Sequence, residues 1–163
     1  MDIQKLVNAM SESSQRKRSN YHATFGDLID KLKSADESCK LFPEIVGIGA
    51  YRGYYSDIAL CTVDKGITNC YKDDDEFNLP YNSENYDKWD KEHRVSGELP
   101  KNPKELAVLL ESLLGCFFDG YKGGKNKITR EKPLWVASDY GDCSDVAVIG
   151  IGDDLKLITK TIE

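Results

Sequence analysis

Two strand-like runs lie close together: residues 44–50, rich in Ile, Val and Gly, and residues 57–63, which carry Ile58, Ala59, Leu60 and Val63. They predict a hairpin whose connection is residues 51–56. In the second run Ile58, Leu60 and Thr62 fall on one face, and Ala59, Cys61 and Val63 on the other. A hairpin of this kind needs covering layers, and two amphipathic stretches offer them. Phe25, Leu28, Ile29 and Leu32 recur at helical spacing after a Thr24–Asp27 capping box, which predicts a helix over 25–35 that lays this face on a sheet. Leu106, Leu109, Leu110, Leu113, Leu114 and Phe117 form a broad stripe over 103–118, with Asn102 as N-cap and Pro103 at the first helical position.

Strand signals return at residues 134–137, and at 146–152 and 155–162, where Asp153-Asp154 makes the turn. Helices packed on a mostly antiparallel sheet give an α+β domain with two main helices over residues 24–163. Residues 1–23 read as a polar arm with a short helix, and the Arg16-Lys17-Arg18 triplet in it reads as solvated, or as a contact to nucleic acid or to an acidic partner. Residues 64–100 read as a long acidic insertion, with Asp73, Asp74, Asp75, Glu76, Glu84, Asp87, Asp90 and Glu92. Its aromatics, Phe77, Tyr81, Tyr86 and Trp89, suggest that it packs on something.

Charge limits the function classes. A chain of 163 residues with a formal charge of −6 does not read as a general DNA-binding protein, which needs a basic face. No apolar run approaches the ~20 residues needed to span a bilayer. The N-terminus lacks the apolar core of a signal peptide, so the expected location is cytoplasmic. The five cysteines include no CxxC pair; Cys61 and Cys116 read as buried thiols, and a disulfide framework is not expected.

Two segments carry candidate binding chemistry. Tyr51-Arg52-Gly53-Tyr54-Tyr55 puts a planar cation among aromatic rings, which suits a phosphate clamp by Arg52 with stacking by a tyrosine. It also reads as a hairpin turn whose tyrosines cover the sheet. Gly120-Tyr121-Lys122-Gly123-Gly124-Lys125 reads as a helix end followed by a glycine turn, or as an anion nest among Lys122, Lys125, Lys127, Arg130 and Lys132. Gly47-Ile48-Gly49 and Gly150-Ile151-Gly152 lie within strands and read as bulges or close backbone packing. No Walker loop and no G-x-S-x-G motif is present. His22 and His93 do not complete a two-histidine phosphoesterase motif, and the Asp73–Asp75 run lacks the spacing of a calcium loop. No metal site or cofactor is therefore expected.

Residues 24–29, 51–60, 120–124 and 133–137 together resemble a family of small tailed-phage proteins, and the likeness covers most of residues 24–150. Such a resemblance implies a role against host defences, and nucleotide sponges are one class of such proteins. The expectation is a homo-oligomeric counter-defence protein in the host cytoplasm that traps a nucleotide-derived signal without turnover. Arg52 and Lys122 would hold phosphate. Tyr51, Tyr54, Tyr55 or Tyr121 would stack on the base. The Gly123 and Gly124 amides would complete the cradle, and Trp135 would wall the pocket. A direct inhibitor of a host protein, acting through the acidic residues 73–92, is the alternative. A nucleotide-degrading enzyme with His22 or Asp57 as base is a third reading.

Overall fold

A computed structural model describes residues 22–36, 45–54, 56–62, 64–73, 84–119, 125–137 and 145–162. The elements run α1 (Phe25–Ser34), β1 (Gly47–Ala50), β2 (Ile58–Cys61), β3 (Gly66–Ile67), β4 (Cys70–Tyr71), α2 (Tyr86–His93), β5 (Arg94–Val95) and α3 (Pro103–Ser112). They continue with β6 (Phe117–Asp119), β7 (Lys125–Lys127), β8 (Leu134–Ala137), β9 (Asp145–Ile151) and β10 (Leu157–Ile162). Six strands make one sheet in the order β10-β9-β8-β2-β1-β3, and four make a second in the order β5-β4-β6-β7. All pairings are antiparallel except β2 with β8 and β1 with β3. The class is α+β, as the sequence implies.

The expected hairpin is β1–β2, paired in register from Gly47↔Cys61 to Ala50↔Ile58. Its period-2 pattern separates two layers. Ile48, Ile58, Leu60, Leu134 and Val148 enter the main core with the apolar faces of α1 and α3. Ala59, Cys61, Trp135 and Ala147 belong to a second layer with Tyr51. The sheet is therefore covered on both sides, by helices on one and by aromatic rings on the other.

Local chemistry sets the helix starts. Thr24 Oγ1 accepts a hydrogen bond from the Asp27 amide at 3.2 Å, and Asp27 Oδ2 accepts one from the Thr24 amide at 2.9 Å. This completes the expected capping box with Asp in the Glu place. Asn102 Oδ1 accepts from the Lys104 and Glu105 amides at the start of α3. Phe25, Leu28, Ile29 and Leu32 are all buried, and α1 packs on α3.

Two expectations need correction. The leucine-rich helix ends at Ser112 and does not run to Phe118. Gly115 adopts φ +88, a left-handed conformation that terminates helices, and Phe117 and Phe118 continue as β6. The segment 64–100 is not simply a loop. Among its described residues it supplies β3 to the first sheet and β4, α2 and β5 to the second sheet and its cover. Tyr86 and Trp89 pack as expected, with Trp89 buried against Tyr71. The two glycines of β1 mark close packing: a Cβ on Gly47 would overlap the Asp64 carbonyl oxygen, and one on Gly49 would overlap Thr68 Oγ1.

Candidate functional site

The β1–β2 connection is built on a buried tryptophan. Tyr51 N donates to Asp57 O at 2.9 Å and Asp57 N donates to Tyr54 O at 2.8 Å, which closes the loop into a narrow turn. Strand alternation sends Trp135 of β8 to the face opposite the helices, and there it is 0% exposed. The Tyr51 ring stacks on it with centroids 4.5 Å apart and planes 3° apart. Tyr54 leans on the same indole at 5.4 Å, and His22 closes the stack at 4.4 Å. Small residues, Ala59 and Ala147, leave room for the rings on this face.

Asp57 holds the stack from within. It is 2% exposed. The Trp135 indole Nε1–H donates to Asp57 Oδ2 at 2.9 Å, and the Ser56 hydroxyl donates to Oδ1 at 3.3 Å. A carboxyl group taken from water needs such partners. This contact joins residues 78 positions apart.

The structure therefore redistributes the roles read from the sequence. Tyr51 and Trp135 were expected to offer faces to a ligand, and instead they offer faces to each other, because strand alternation points both into the layer behind the sheet. Gly53 does not open space for a ligand. A Cβ there would sit 2.6 Å from Tyr51 Cε1, so glycine lets the ring lie across the turn. Arg52 and Gly53 are exposed at the tip, and Tyr54 is half-buried beside them. These residues place an exposed cation beside a half-buried ring on a loop held by two paired strands and a stacked indole. Tyr55 lies outside the described residues.

No protein-family model matches this chain, and no curated protein or solved structure matches it either. The site is thus read from its own geometry.

The second expected segment is only partly in view, since Tyr121, Lys122, Gly123 and Gly124 lie outside the described residues. Its stems connect β6 to β7, with Asp119 opposite Lys125. The Asp119 amide donates to Asn69 O at 2.9 Å, and the neighbouring Thr68 amide donates to Ile48 O at 3.0 Å. Asn69 takes φ +50 at this passage from the first sheet to the second. The passage Thr68–Asn69 thus links β1, which leads into the Arg52 loop, to the stem of the glycine segment. The cations flanking that segment are engaged: Lys125 and Lys127 pair with Asp73, and Arg130 pairs with Asp30 at 2.8 Å. A carboxylate of the acidic segment so neutralises part of the basic patch. The two histidines belong to separate aromatic groups, His22 on Trp135 and His93 on Trp89. No cluster of three potential metal ligands occurs among the described residues.

Sequence reading missed a polar network on the second sheet. The Tyr71 hydroxyl donates to Asp90 Oδ1 at 2.8 Å and accepts from Arg94 Nη2 at 2.8 Å. Arg94 also grips Asp90 through Nε at 3.1 Å and Nη2 at 2.9 Å. The i,i+4 spacing of Asp90 and Arg94 was a visible signal; Tyr71, 19 positions before Asp90, had none. Burial foremost, then the bond to Asp90, raises the Tyr71 phenol well above its ordinary value. The hydrogen bonds from Arg94 hold the Asp90 carboxyl below its ordinary value of 3.8. A depressed carboxylate stabilises the fold above its unfolded pKa and loses that contribution as pH falls through the folded pKa. Asp90→Asn is therefore expected to lower the urea midpoint at pH 7, and the gap to wild type should close as pH drops below 3.8. A gap that stays constant down to acid would show that the ionised pair does not contribute.

Proposed function

We propose that this protein binds and sequesters a nucleotide-derived immune signal, phosphate plus base, without turning it over. The observation that carries the reading is Arg52, exposed at the tip of a loop whose base is fixed by the Tyr51–Trp135 stack and the Asp57 hydrogen bonds. A guanidinium held on a rigid hairpin suits phosphate, because little ordering is left to do on binding. Tyr54, half-buried beside it, offers a ring edge to a base. Tyr55, Tyr121, Lys122, Gly123 and Gly124 belong to the same proposal as further stacking and phosphate contacts.

A non-catalytic role fits Asp57, whose two oxygens accept from Trp135 and Ser56 inside the fold, and His22, whose Nδ1 lies 3.1 Å from the Leu134 carbonyl. The resemblance to small phage proteins supplies the biological setting, a counter-defence protein acting as a homo-oligomer in the host cytoplasm. Arg52→Ala is expected to weaken binding of the captured nucleotide roughly 10- to 100-fold, the size of a lost charge-assisted contact, with an unchanged melting curve. Isothermal titration with the nucleotide recovered from the protein, identified intact by mass spectrometry, measures this. Equal affinities would remove Arg52 from the site, and recovery of an altered nucleotide would replace sequestration with catalysis.

The direct-inhibitor reading also has an observation in its favour. Helix α2 holds Trp89 inward on Tyr71 and Phe117 and turns Asp87 and Glu92 outward, so the acidic segment has a folded surface to offer a basic partner. Reversing the exposed charges, Asp87→Lys with Glu92→Lys, leaves Trp89 in place and would abolish inhibition under that reading while sparing nucleotide binding under the first.

A further inference from the structure

We propose that Cys70 and Cys116 form a reversible disulfide when the protein meets a small-molecule disulfide, clamping β4 to the turn between α3 and β6. Both are free thiols. The ladder pairs Cys70 with Phe118 and Tyr71 with Phe117, so Cys116 follows on the same side as Cys70, one diagonal step along. Cys70 is fully buried in the main core, and Cys116 is half-buried against that core. The two thiols lie within electrostatic reach of each other, and Cys116 Sγ lies 3.8 Å from the Ser112 carbonyl oxygen. Cys61 belongs to the layer on the opposite face and is no rival partner.

Diagonal neighbours on an antiparallel ladder have Cα atoms roughly 7–8 Å apart. Disulfides prefer about 4.4–6.8 Å, so closure needs a small backbone shift. Gly115, at φ +88 directly before Cys116, is the pivot for such a shift, which must loosen the hydrogen bonds of the Cys116 amide to Leu113 O at 3.0 Å and of the Ile128 amide to Cys116 O at 2.8 Å.

The chemistry has a defined order. Burial raises both thiols, Cys70 to about 12, and the neighbouring Cys70 thiol opposes that rise at Cys116. Cys116 is also the more exposed, so it is the first nucleophile. Deprotonated Cys116 attacks one sulfur of glutathione disulfide, forms a mixed disulfide and expels one glutathione thiolate. Deprotonated Cys70 then attacks the Cys116 sulfur, breaks the mixed disulfide and releases the second glutathione. Two protein thiols lose two protons and two electrons, and one glutathione disulfide becomes two glutathione thiols.

The test is to incubate the reduced full chain with glutathione disulfide, block remaining thiols, and map peptides by mass spectrometry without reduction. A cross-linked peptide joining Cys70 to Cys116 is expected, with a melting temperature raised by roughly 5–10 °C and restored by dithiothreitol. Cys116→Ser should melt like the reduced wild type and show neither the cross-link nor the shift. A stable glutathione adduct on Cys116 with Cys70 still free, a bridge joining other cysteines, or two unmodified thiols would each overturn the proposal.

Discussion

Trp135→Ala is expected to destabilise the protein by roughly 3–5 kcal/mol, the usual range for deleting a large buried aromatic. Two losses add here. The indole is 0% exposed and carries the Tyr51 ring on one of its contacts, so its removal leaves a cavity and frees the base of the Arg52 loop. Its Nε1–H also donates to Asp57, which is 2% exposed, so alanine takes that donor from a buried polar oxygen. Trp135→Phe separates these terms. It keeps most of the ring volume and loses the hydrogen bond, and about 1–3 kcal/mol should follow. Urea denaturation of both variants measures the pair. If phenylalanine costs as much as alanine, the hydrogen bond dominates; if phenylalanine is neutral, Asp57 does not depend on the indole. Under the proposed nucleotide binding, a titration of the same variants should show weaker binding than in Gly150→Ala, whose Cβ meets nothing closer than 3.4 Å.

Gly47→Ala should be nearly as damaging, at roughly 3 kcal/mol or more. Gly47 lies in β1 between β2 and β3, paired with Cys61 on one side and Gly66 on the other. A methyl there would run into the Asp64 carbonyl oxygen and come within 2.8 Å of the Gly66 carbonyl oxygen. Both obstacles are backbone, so relief requires moving the chain that carries β3 and breaking the Gly66 amide bond to Val46 O at 2.7 Å. Gly49→Ala gives an internal comparison. Its methyl meets a side-chain hydroxyl, Thr68 Oγ1, which rotates at the loss of one 3.3 Å hydrogen bond to Ile48 O. Gly47→Ala should therefore show the larger drop in urea midpoint, and the reverse order would mean that β3 yields more easily than the sheet geometry implies.

Local chemistry was readable in the sequence. The Thr24–Asp27 box, the Asn102 cap, the buried face Phe25–Leu28–Ile29–Leu32 and the alternation of Ile58, Ala59, Leu60 and Cys61 all depend on neighbours within a few residues. A chain-local pattern therefore determined them, together with the α+β class, the β1–β2 hairpin and the β9–β10 hairpin. The end of α3 was less legible, because the leucine stripe continues in helical spacing past Ser112, while a single left-handed glycine and the pull of β4 on Phe117 and Phe118 stop it.

The meaning of the aromatic residues was settled only by tertiary structure. Tyr51 and Trp135 look alike, in sequence, as ligand platforms and as core. Pairing of β2 with β8 brings them to one face of one sheet and commits each ring to the other. The same holds for Asp57, whose donor lies 78 residues away, and for the basic stretch around Lys125, whose charge Asp73 offsets from another strand. Burial and ion pairing are properties of contacts distant along the chain, and a sequence fixes them only through the packing of the whole sheet. Arg52 stays exposed at the tip of the turn braced by that packing, and the proposed function rests on it.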